Sequence, residues 1–436
     1  MMATSSSQFR RPEAAGDSQP IAWKQVPLRH CFRIISGATP STNEPEYWDG
    51  DVVWVTPDDL GRADSRSITT SQRRITSLGA ASIGQRTVPV RSLVLSTRAP
   101  IGHLGIAEVP MTTNQGCKSL AANPGVHAAY AYFQLLSRID ELRSHGTGTT
   151  FAELSRAQLA RMPFWCPPIR VQQSIADYLD RETERMDALV AKKQRLIELL
   201  QEKRTALISH AVTKGLDPDA PMKDSGIEWF GRIPAHWPVV RLGHFAHVQN
   251  GSTPSRDDAA CWLDGTVPWL ASTKVNEDRV TSPSELVSET ALRECSLTLM
   301  PAGSVIIGLV GQGRTRGMAA LLDIEATINQ NMAAIIPRRR IVGRHLQFQL
   351  ESMYIPIREY GRGANQAALN CELVADLHLP SPPPAEQVAI ARFLDERTEA
   401  IRALVDKTRR SIDLLGESRS TLITAAVTGQ IDVSAR

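Results

Sequence analysis

The stretch VQQSIADYLDRETERMDALVAKKQRLIELLQEKRTALISHAVTKGLD, residues 171–217, returns as EQVAIARFLDERTEAIRALVDKTRRSIDLLGESRSTLITAAVTGQID, residues 386–432. Adding 215 to a position in the first stretch gives its partner in the second, so that Gln172 matches Gln387. The two stretches align from end to end without a gap. The chain is therefore an internal duplication.

Each copy is predicted to form one long helix with an apolar seam. Seam residues recur at alternating steps of four and three, the spacing typical of a coiled coil. Between residues 171 and 214 and between 386 and 428 there is no proline, and Gly416 is the one glycine. At about 1.5 Å per residue each helix would be roughly 65 Å long, and its apolar stripe would need the other copy as a partner. The seam consists of Met186, Val190, Lys193, Ile197, Leu200, Arg204 and Leu207, and of Ile401, Val405, Thr408, Ile412, Leu415, Arg419 and Leu422.

The segments before the two helices repeat more loosely. LRHCFRIISGATPS (28–41) matches LGHFAHVQNGSTPS (242–255), and TTNQGCKSLAANP (112–124) matches ATINQNMAAIIPR (326–338). Short β-rich runs punctuated by Gly, Pro, Asn and Asp predict an irregular mixed sheet in each segment. We call these segments the first and second heads.

The predicted fold class is α+β, with two globular mixed α/β heads separated by two long antiparallel coiled-coil helices and related by a pseudo-twofold internal repeat. One helix per head is predicted, at residues 128–144 and 344–360. The predicted divisions are a disordered tail (1–22), the first head (23–165), the first helix (166–214), a connector (215–236), the second head (237–381), the second helix (382–430) and a C-terminal tail (431–436).

The composition is that of an ordinary globular protein with room for two or three domains. A formal net charge of +3 permits nucleic-acid binding without arguing for it. The 6 cysteines lie far apart without a C-x-x-C pair, which predicts reduced thiols in the cytoplasm and neither disulfides nor a zinc site. Residues 1–22 lack an apolar signal-peptide core, and no later run is long enough to span a membrane.

At several places the chain resembles the specificity (S) subunit of a type I restriction-modification system. The resemblance rests on the loops SGATPS and NGSTPS with the tryptophans that follow them, and on the helix starts PPIRVQQSIADYLD and PPPAEQVAIARFLD. The connector SGIEWFGRIPAHW (225–237) and the ending VTGQIDV (427–433) are also similar. The order, spacing and duplication of these motifs carry the resemblance over residues 23–433.

The resemblance implies a DNA-binding subunit in which each head reads one half of a bipartite, asymmetric site on double-stranded DNA. It also implies that the helices set the spacing of the half-sites and dock two modification (methyltransferase) subunits, with restriction (nuclease/translocase) subunits completing the complex. S-adenosylmethionine, ATP and Mg would then belong to the partner subunits, and this chain would hold no cofactor.

Readers of DNA need cations for phosphates, and Arg, Lys, Asn or Gln for base edges. In the first head, STRAPIGHLG offers Arg98 and His103, although a solvated basic hairpin is the alternative. A second pair of loops begins at Thr56 and Ser272, and its candidate, Lys274, is as well explained as plain surface. Gln312, Arg314 and Arg316 in GLVGQGRTRG are further candidates, with the same alternative of a solvated hairpin. The last candidates are Arg362 and Gln366 in GRGANQAAL, a segment equally well explained as a turn between the head's helix and its last strand.

The pairs Asn114-Gln115 and Asn329-Gln330 suggest adenine readout, but they recur in heads that should read different sequences. A shared structural role, such as bonding a neighbouring loop, is the interpretation we favour. Trp48 and the matching Trp262 are likewise predicted to be core residues.

Catalytic motifs are missing from the sequence. It contains neither the Asn-Pro-Pro-aromatic tetrapeptide of adenine methyltransferases nor a Walker A loop. The chain is therefore predicted to have no chemistry of its own. The resemblance implies that it is the non-catalytic subunit of a type I site-specific deoxyribonuclease and adenine-specific methyltransferase complex. The alternatives are a coiled-coil adaptor that binds protein without DNA specificity, and an unusual single-chain nuclease or methyltransferase.

Overall fold

The computed structural model describes residues 23–63, 65–98, 100–146, 153–311, 313–338, 340–361 and 368–433. The chain forms two compact units. Unit 1 contains residues 1–192 together with 410–436, and unit 2 contains residues 193–409. Each unit therefore combines one head with segments of both long helices.

The first head is built from short strands and short helices. Its strands are β1 (Gln25–Pro27), β2 (Phe32–Ser36), β3 (Trp48–Val55), β4 (Ser67–Ile68), β5 (Arg74–Ile75), β6 (Leu93–Ser96), β7 (Leu104–Ala107), β8 (Met111–Thr113), β9 (Cys117–Ala122) and β10 (Pro163–Trp165). Its helices are α1 (Leu28–Cys31), α2 (Pro57–Arg62), α3 (Ser77–Ser82), α4 (Ala128–Leu136), α5 (Ile139–Ser144) and α6 (Arg156–Arg161), and the long helix α7 (Ile169–Lys214) follows.

The second head has the same kind of composition. Its strands, with the connector hairpin first, are β11 (Met222–Asp224), β12 (Arg232–Pro234), β13 (Val239–Arg241), β14 (Ala246–Asn250), β15 (Val267–Leu270), β16 (Arg279–Val280), β17 (Glu285–Val287), β18 (Val305–Gly308), β19 (Ala319–Leu322), β20 (Thr327–Ile328), β21 (Met332–Pro337) and β22 (His378–Pro380). Its helices are α8 (Glu289–Glu294), α9 (Gly343–Ser352), α10 (Tyr354–Tyr360) and α11 (Cys371–Ala375), and the long helix α12 (Pro384–Val427) follows.

The two heads share one sheet topology. The first has a five-stranded sheet in the order β2-β9-β6-β7-β4 and a three-stranded sheet in the order β5-β3-β8. The second repeats these orders as β14-β21-β18-β19-β16 and β17-β15-β20. Parallel and antiparallel pairs occur in both, so the predicted mixed sheet is confirmed.

The single helix predicted near the end of each head is wrong in detail, because each is two helices. In the second head the break falls at Met353, just before α10. Pro356 has no amide hydrogen to donate to the preceding turn, so the first helix cannot run on through it. In the first head the break falls at Ser137 and Arg138, where the Ser137 hydroxyl donates to the Gln134 carbonyl at 2.9 Å.

The predicted long helices are confirmed, with 46 residues in α7 and 44 in α12. All fourteen predicted seam positions are buried or half-buried. By contrast, the leucines at the matched positions Leu189 and Leu404, and at Leu199 and Leu414, are exposed. The 3.5-residue period of the sequence therefore identified the buried stripe correctly.

Each unit's core contains the start of one long helix and the end of the other. In unit 1, Ile175 of α7 and Val427 of α12 lie in one apolar cluster with the first head. In unit 2, Val212 of α7 and Ile390 of α12 lie in one cluster with the second head. Within each unit the two helices therefore run antiparallel.

Both long helices end in the same way. Gly215 follows α7 with φ of 75°, and Gly429 follows α12 with φ of 75°, the left-handed conformation that ends many helices. The indole of Trp237 packs against Gly215 in unit 2, and the indole of Trp23 packs against Gly429 in unit 1. The first residue of each head thus covers the last turn of a helix from the other repeat.

The described cysteines are all free thiols. Although they are scattered in sequence, the fold brings Cys261 and Cys295 together in unit 2, with their sulfur atoms 3.5 Å apart. Burial is the main cause that raises the pKa of Cys261 to about 12, so the thiol is protonated at neutral pH.

Candidate DNA interface

Three loops of the first head converge where their strands end. The Asn114 amide donates to the Val55 carbonyl at 2.9 Å, and the Thr97 amide donates to the Gly116 carbonyl at 2.7 Å. The loops after β3, β6 and β8 are thereby joined side by side. We call this surface the loop face of the first head, and it comprises residues 38–42, 56–62, 97–98, 100–103 and 114–116.

The second head has a matching surface. The Asn329 amide donates to the Leu270 carbonyl at 3.1 Å, and the Leu309 amide donates to the Asn331 carbonyl at 2.9 Å. The loop face of the second head comprises residues 252–256, 271–276, 309–311, 313–317 and 329–331.

Glycine is required where the SGATPS and NGSTPS loops cross the strand ends. A Cβ on Gly37 would lie 1.9 Å from the Asn114 carbonyl oxygen, and one on Gly251 would lie 1.8 Å from the Ile328 carbonyl oxygen. Any larger residue would push this loop away from the sheet.

The paired Asn-Gln residues hold the same loops from the other side. In the first head the Thr39 hydroxyl donates to the Gln115 side-chain oxygen, and the Asn114 side chain accepts from the Gly116 amide at 2.9 Å. Thr253 donates to Gln330 in the same way in the second head. These internal bonds occupy the side-chain oxygens and support the structural role predicted for these residues.

Two tryptophans brace each loop face. Trp48 and Trp54 meet edge to face with ring centroids 5.1 Å apart, and their indole N–H groups donate to the carbonyls of Ser41 and Ala38, each at 3.0 Å. Trp48 is buried, as predicted for a core residue. Trp262 and Trp269 form the equivalent pair at 5.4 Å, although Trp262 is half-buried.

Arg98 lies on the loop face and is partly neutralised. Its guanidinium is 2.7 Å from the Glu153 carboxylate, with the two side chains 46% and 34% exposed. Lys118 approaches the same carboxylate at 3.6 Å. The hydrogen bond from Arg98 is the main cause that holds the pKa of Glu153 below its usual range. Arg98 and Glu153 therefore form an ion pair, which leaves Arg98 only partly available to another anion.

His103 packs against α2. Its Nδ1 is 3.4 Å from the Pro57 carbonyl oxygen, and a Cβ on Gly61 would lie 2.6 Å from its ring. The ring is half-buried, and this contact supports the loop that starts at Thr56.

Lys274 is held inside its own loop. Its ammonium nitrogen is 2.7 Å from a Glu277 carboxylate oxygen and 3.4 Å from the Ser282 hydroxyl, and the side chain is only 13% exposed. This is neither a free surface lysine nor a cation directed at solvent.

Helix α10 supports the loop that carries the other candidates. The Arg358 guanidinium donates to the carbonyls of Gly313 and Arg316 at 2.8 and 3.0 Å, and the Tyr354 hydroxyl donates to the Arg314 carbonyl at 3.0 Å. The Arg314 side chain is exposed and that of Arg316 is half-buried. The remaining candidates, Gln312, Arg362 and Gln366, lie outside the described residues.

Sequence comparison identifies the family. The model for the type I restriction modification DNA specificity domain matches residues 20–199 and again residues 234–410. The chain belongs to the family of type I restriction-modification specificity subunits. Both matches run from a head into its long helix, so the duplicated unit is the domain that the family is named for.

Known specificity subunits cover most of the chain. The type I restriction enzyme MjaIX specificity subunit of Methanocaldococcus jannaschii is 28% identical over 323 residues, which are 72% of each chain. A structure titled as the basis of complex assembly and conformational transition of the type I R-M system matches with a TM-score of 0.74 at 16% identity, covering 94% of this chain and 99% of that one. The HsdS subunit from Thermoanaerobacter tengcongensis matches with a TM-score of 0.59 at 16% identity, covering 94% and 98%. At these identities the structural matches show the fold alone.

Sequence reasoning missed how the specificity-domain repeat joins head to helix. Gln172 is fully buried, accepts from the His127 amide at 2.8 Å and donates to the carbonyls of Gly125 and Pro167 at 3.0 and 2.7 Å. Gln387 makes the same three bonds to Val342, Arg340 and Pro382. The repetition of Gln at the helix starts was the available signal, but its partners are distant in sequence.

In the part of the chain that the structure describes, no helix has the length and apolar character needed to cross a bilayer. Within the same residues, no group of three or more His, Cys, Asp or Glu side chains is placed to hold a metal ion.

Proposed function

We propose that each head reads one half of a bipartite, asymmetric site on double-stranded DNA, with recognition domains at residues 23–165 and 237–381. The observation that carries this proposal is the pair of loop faces, which have one backbone framework and different side chains. Arg98 in the first is paired with Glu153, whereas Arg314 in the second is exposed. Two unlike readers on one framework suit two unlike half-sites.

The contacts we propose follow from exposure and charge. Arg314 and Arg316 would contact phosphates or base edges from a loop held by Arg358, and Arg98 would do so by exchanging Glu153 for a phosphate. His103 and Lys274 would act by supporting their loops. Gln312, Arg362 and Gln366 remain candidates by sequence.

We propose that the helices at residues 166–214 and 382–430 set the half-site spacing and dock two methyltransferase subunits in the cytoplasm. The matched exposed leucines support docking, because equivalent apolar residues outside the seam recur in both repeats. The nuclease and methylation chemistry would belong to the partner subunits, and this chain would not be catalytic itself.

Co-expression with the candidate modification subunit, followed by mapping of methylated adenines on host DNA, tests the proposal. A bipartite motif with an invariant gap is the expected result. A stable complex that neither methylates nor selects any bipartite sequence, and that fails to retain DNA even at low salt, would instead indicate a protein adaptor.

Two variants test the division of labour. Exchanging residues 23–165 for the head of another specificity subunit should change one half-site only, and a change in both would contradict separate reading.

Removing about seven residues, two helical turns, from one long helix should alter the gap or abolish binding. An unchanged gap would contradict the spacing role.

A further inference from the structure

We propose that Arg73, stacked on Trp48, contacts the DNA backbone from the first head, and that the second head lacks this contact because Glu285 neutralises its equivalent guanidinium, Arg256. The inference rests on the proposed function, since it names a further contact beside the same loop face. Neither arginine was among the candidates chosen from the sequence.

Both heads place a guanidinium over the first tryptophan of the pair. The guanidinium carbon lies 3.8 Å from the ring centroid for Arg73 on Trp48, and 3.8 Å for Arg256 on Trp262. The two arginines come from unrelated chain positions, because Arg256 directly follows the NGSTPS loop and Thr42 stands at the matching place in the first head. The two heads therefore form the same stack with arginines from different positions in the chain.

Strand register shows what replaces Arg73 in the second head. In the first head, Ile75 of β5 pairs with Val52, two residues before Trp54. In the second head, Val287 of β17 pairs with Val267, two residues before Trp269. Arg73 and Glu285 each lie two residues before these partners. Counted back from these pairs, the equivalent chain position carries a cation just before β5 and an anion at the start of β17.

The two stacks differ in net charge. Arg256 donates to both carboxylate oxygens of Glu285, at 2.6 and 2.8 Å, and this hydrogen bonding is the main cause that holds the pKa of Glu285 below its usual range. Among the described residues, no carboxylate lies within ion-pair distance of Arg73, whose side chain is exposed. The first stack carries a full positive charge, and the second is an ion pair.

Arg73 also lies in the right place. Trp48 and Trp54 donate to the Ser41 and Ala38 carbonyls, which belong to the loop face. The loop before Arg73 is fixed to α2, because the Gln72 amide donates to the Asp59 side chain at 2.8 Å. The guanidinium is therefore held beside the loop face by its stacking on Trp48 and by the anchored loop that precedes it.

A stacked guanidinium suits a phosphate. Stacking uses the face of the group and leaves the N–H donors around its edge free to bond. Because the side chain is already ordered, less conformational entropy is lost when a phosphate binds. Neutralising one phosphate makes the logarithm of the binding constant depend more steeply on the logarithm of salt concentration, by about 0.9.

The test measures DNA affinity against salt for the complex with its modification subunit, on the bipartite site found by methylation mapping. Arg73→Ala should reduce the salt slope by about 1 and lower the affinity about fivefold. Removing the neutral pair of the second head, with Arg256→Ala and Glu285→Ala together, should leave the slope unchanged. The double variant Thr42→Arg with Arg73→Glu gives the first head the ion-paired stack of the second. This variant should reduce the salt slope by the same amount as Arg73→Ala and should keep the thermal unfolding midpoint of the wild type.

This inference is overturned if the salt slope is unchanged in Arg73→Ala, or if Thr42→Arg with Arg73→Glu keeps the wild-type slope, provided that the wild type selects a bipartite site. A wild-type complex that selects no such site overturns the proposed function and this inference with it. A salt slope reduced by about 1 in both Arg73 variants, and unchanged when Arg256 and Glu285 are removed together, supports the contact.

Discussion

Arg344 donates to Asp278 across 2.6 Å from a side chain that is only 9% exposed. The same guanidinium reaches Asp395 on α12 at 2.6 Å, and Arg402 of α12 donates to Asp278 at 2.7 Å. The network joins the second head to its helix. The equivalent tie in the first head is the more exposed pair of Arg66 and Asp180.

Replacing Arg344 with Met should destabilise unit 2 by about 3 kcal/mol, because two carboxylates lose their buried partner. Arg392→Met is the matched control, since Arg392 forms an exposed pair with Glu396 on the same helix, and it should change stability by less than about 0.5 kcal/mol. Chemical denaturation of both variants measures the difference. Equal effects would show that the network contributes no more than a surface pair.

Stability should fall in acid partly through Asp278. Burial alone would raise its pKa, but hydrogen bonds from Arg344 and Arg402 hold the pKa well below its usual range. The stabilisation by ionised Asp278 is therefore complete above the unfolded pKa of about 3.9 and is lost as pH falls from there through the lower folded value. Denaturation between pH 7 and pH 3 should show a shallower acid loss in Asp278→Asn than in the wild type. Parallel curves would contradict this assignment.

Gln172→Leu should destabilise the junction between the first head and α7 by at least about 2 kcal/mol, because three backbone groups lose a buried partner. The neighbouring Gln173 is exposed, so Gln173→Leu is a control of the same chemistry on the same helix. Thermal unfolding compares the two. A Gln172→Leu variant as stable as its control would mean that water replaces those bonds.

Two glycine substitutions should act in opposite directions. Gly37→Ala should cost about 1–3 kcal/mol by forcing the SGATPS loop off the Asn114 carbonyl, and should weaken DNA binding. Gly416→Ala should stabilise by about 0.5–1 kcal/mol, since no atom lies within 4 Å of the added carbon and alanine favours the helix. Calorimetry on both variants gives the signs, and a stabilising Gly37→Ala would refute the close approach.

Periodic features of the fold were predictable from sequence, and those that depend on register were not. The seam from Met186 to Leu207 follows from spacing alone, and repetition in both heads marked Gln115 and Gln330 as structural. The sequence does not show that Arg73 and Glu285 occupy equivalent positions, because the loops before β5 and β17 differ. Only the strand pairing aligns them. Likewise, the sequence around His103 does not predict that its ring packs against α2, because Pro57 is distant in the chain.

The contact of Trp23 with Gly429 has a consequence for assembly. Unit 1 completes its core with Ile423, Ala426 and Val427 from the end of the second repeat. A polypeptide with a single repeat would carry the matching residues at the end of its own long helix. In this protein such residues pack against the head of the other repeat and not against their own. Two such polypeptides would satisfy each other by reciprocal exchange, giving a symmetric homodimer whose formation depends on concentration.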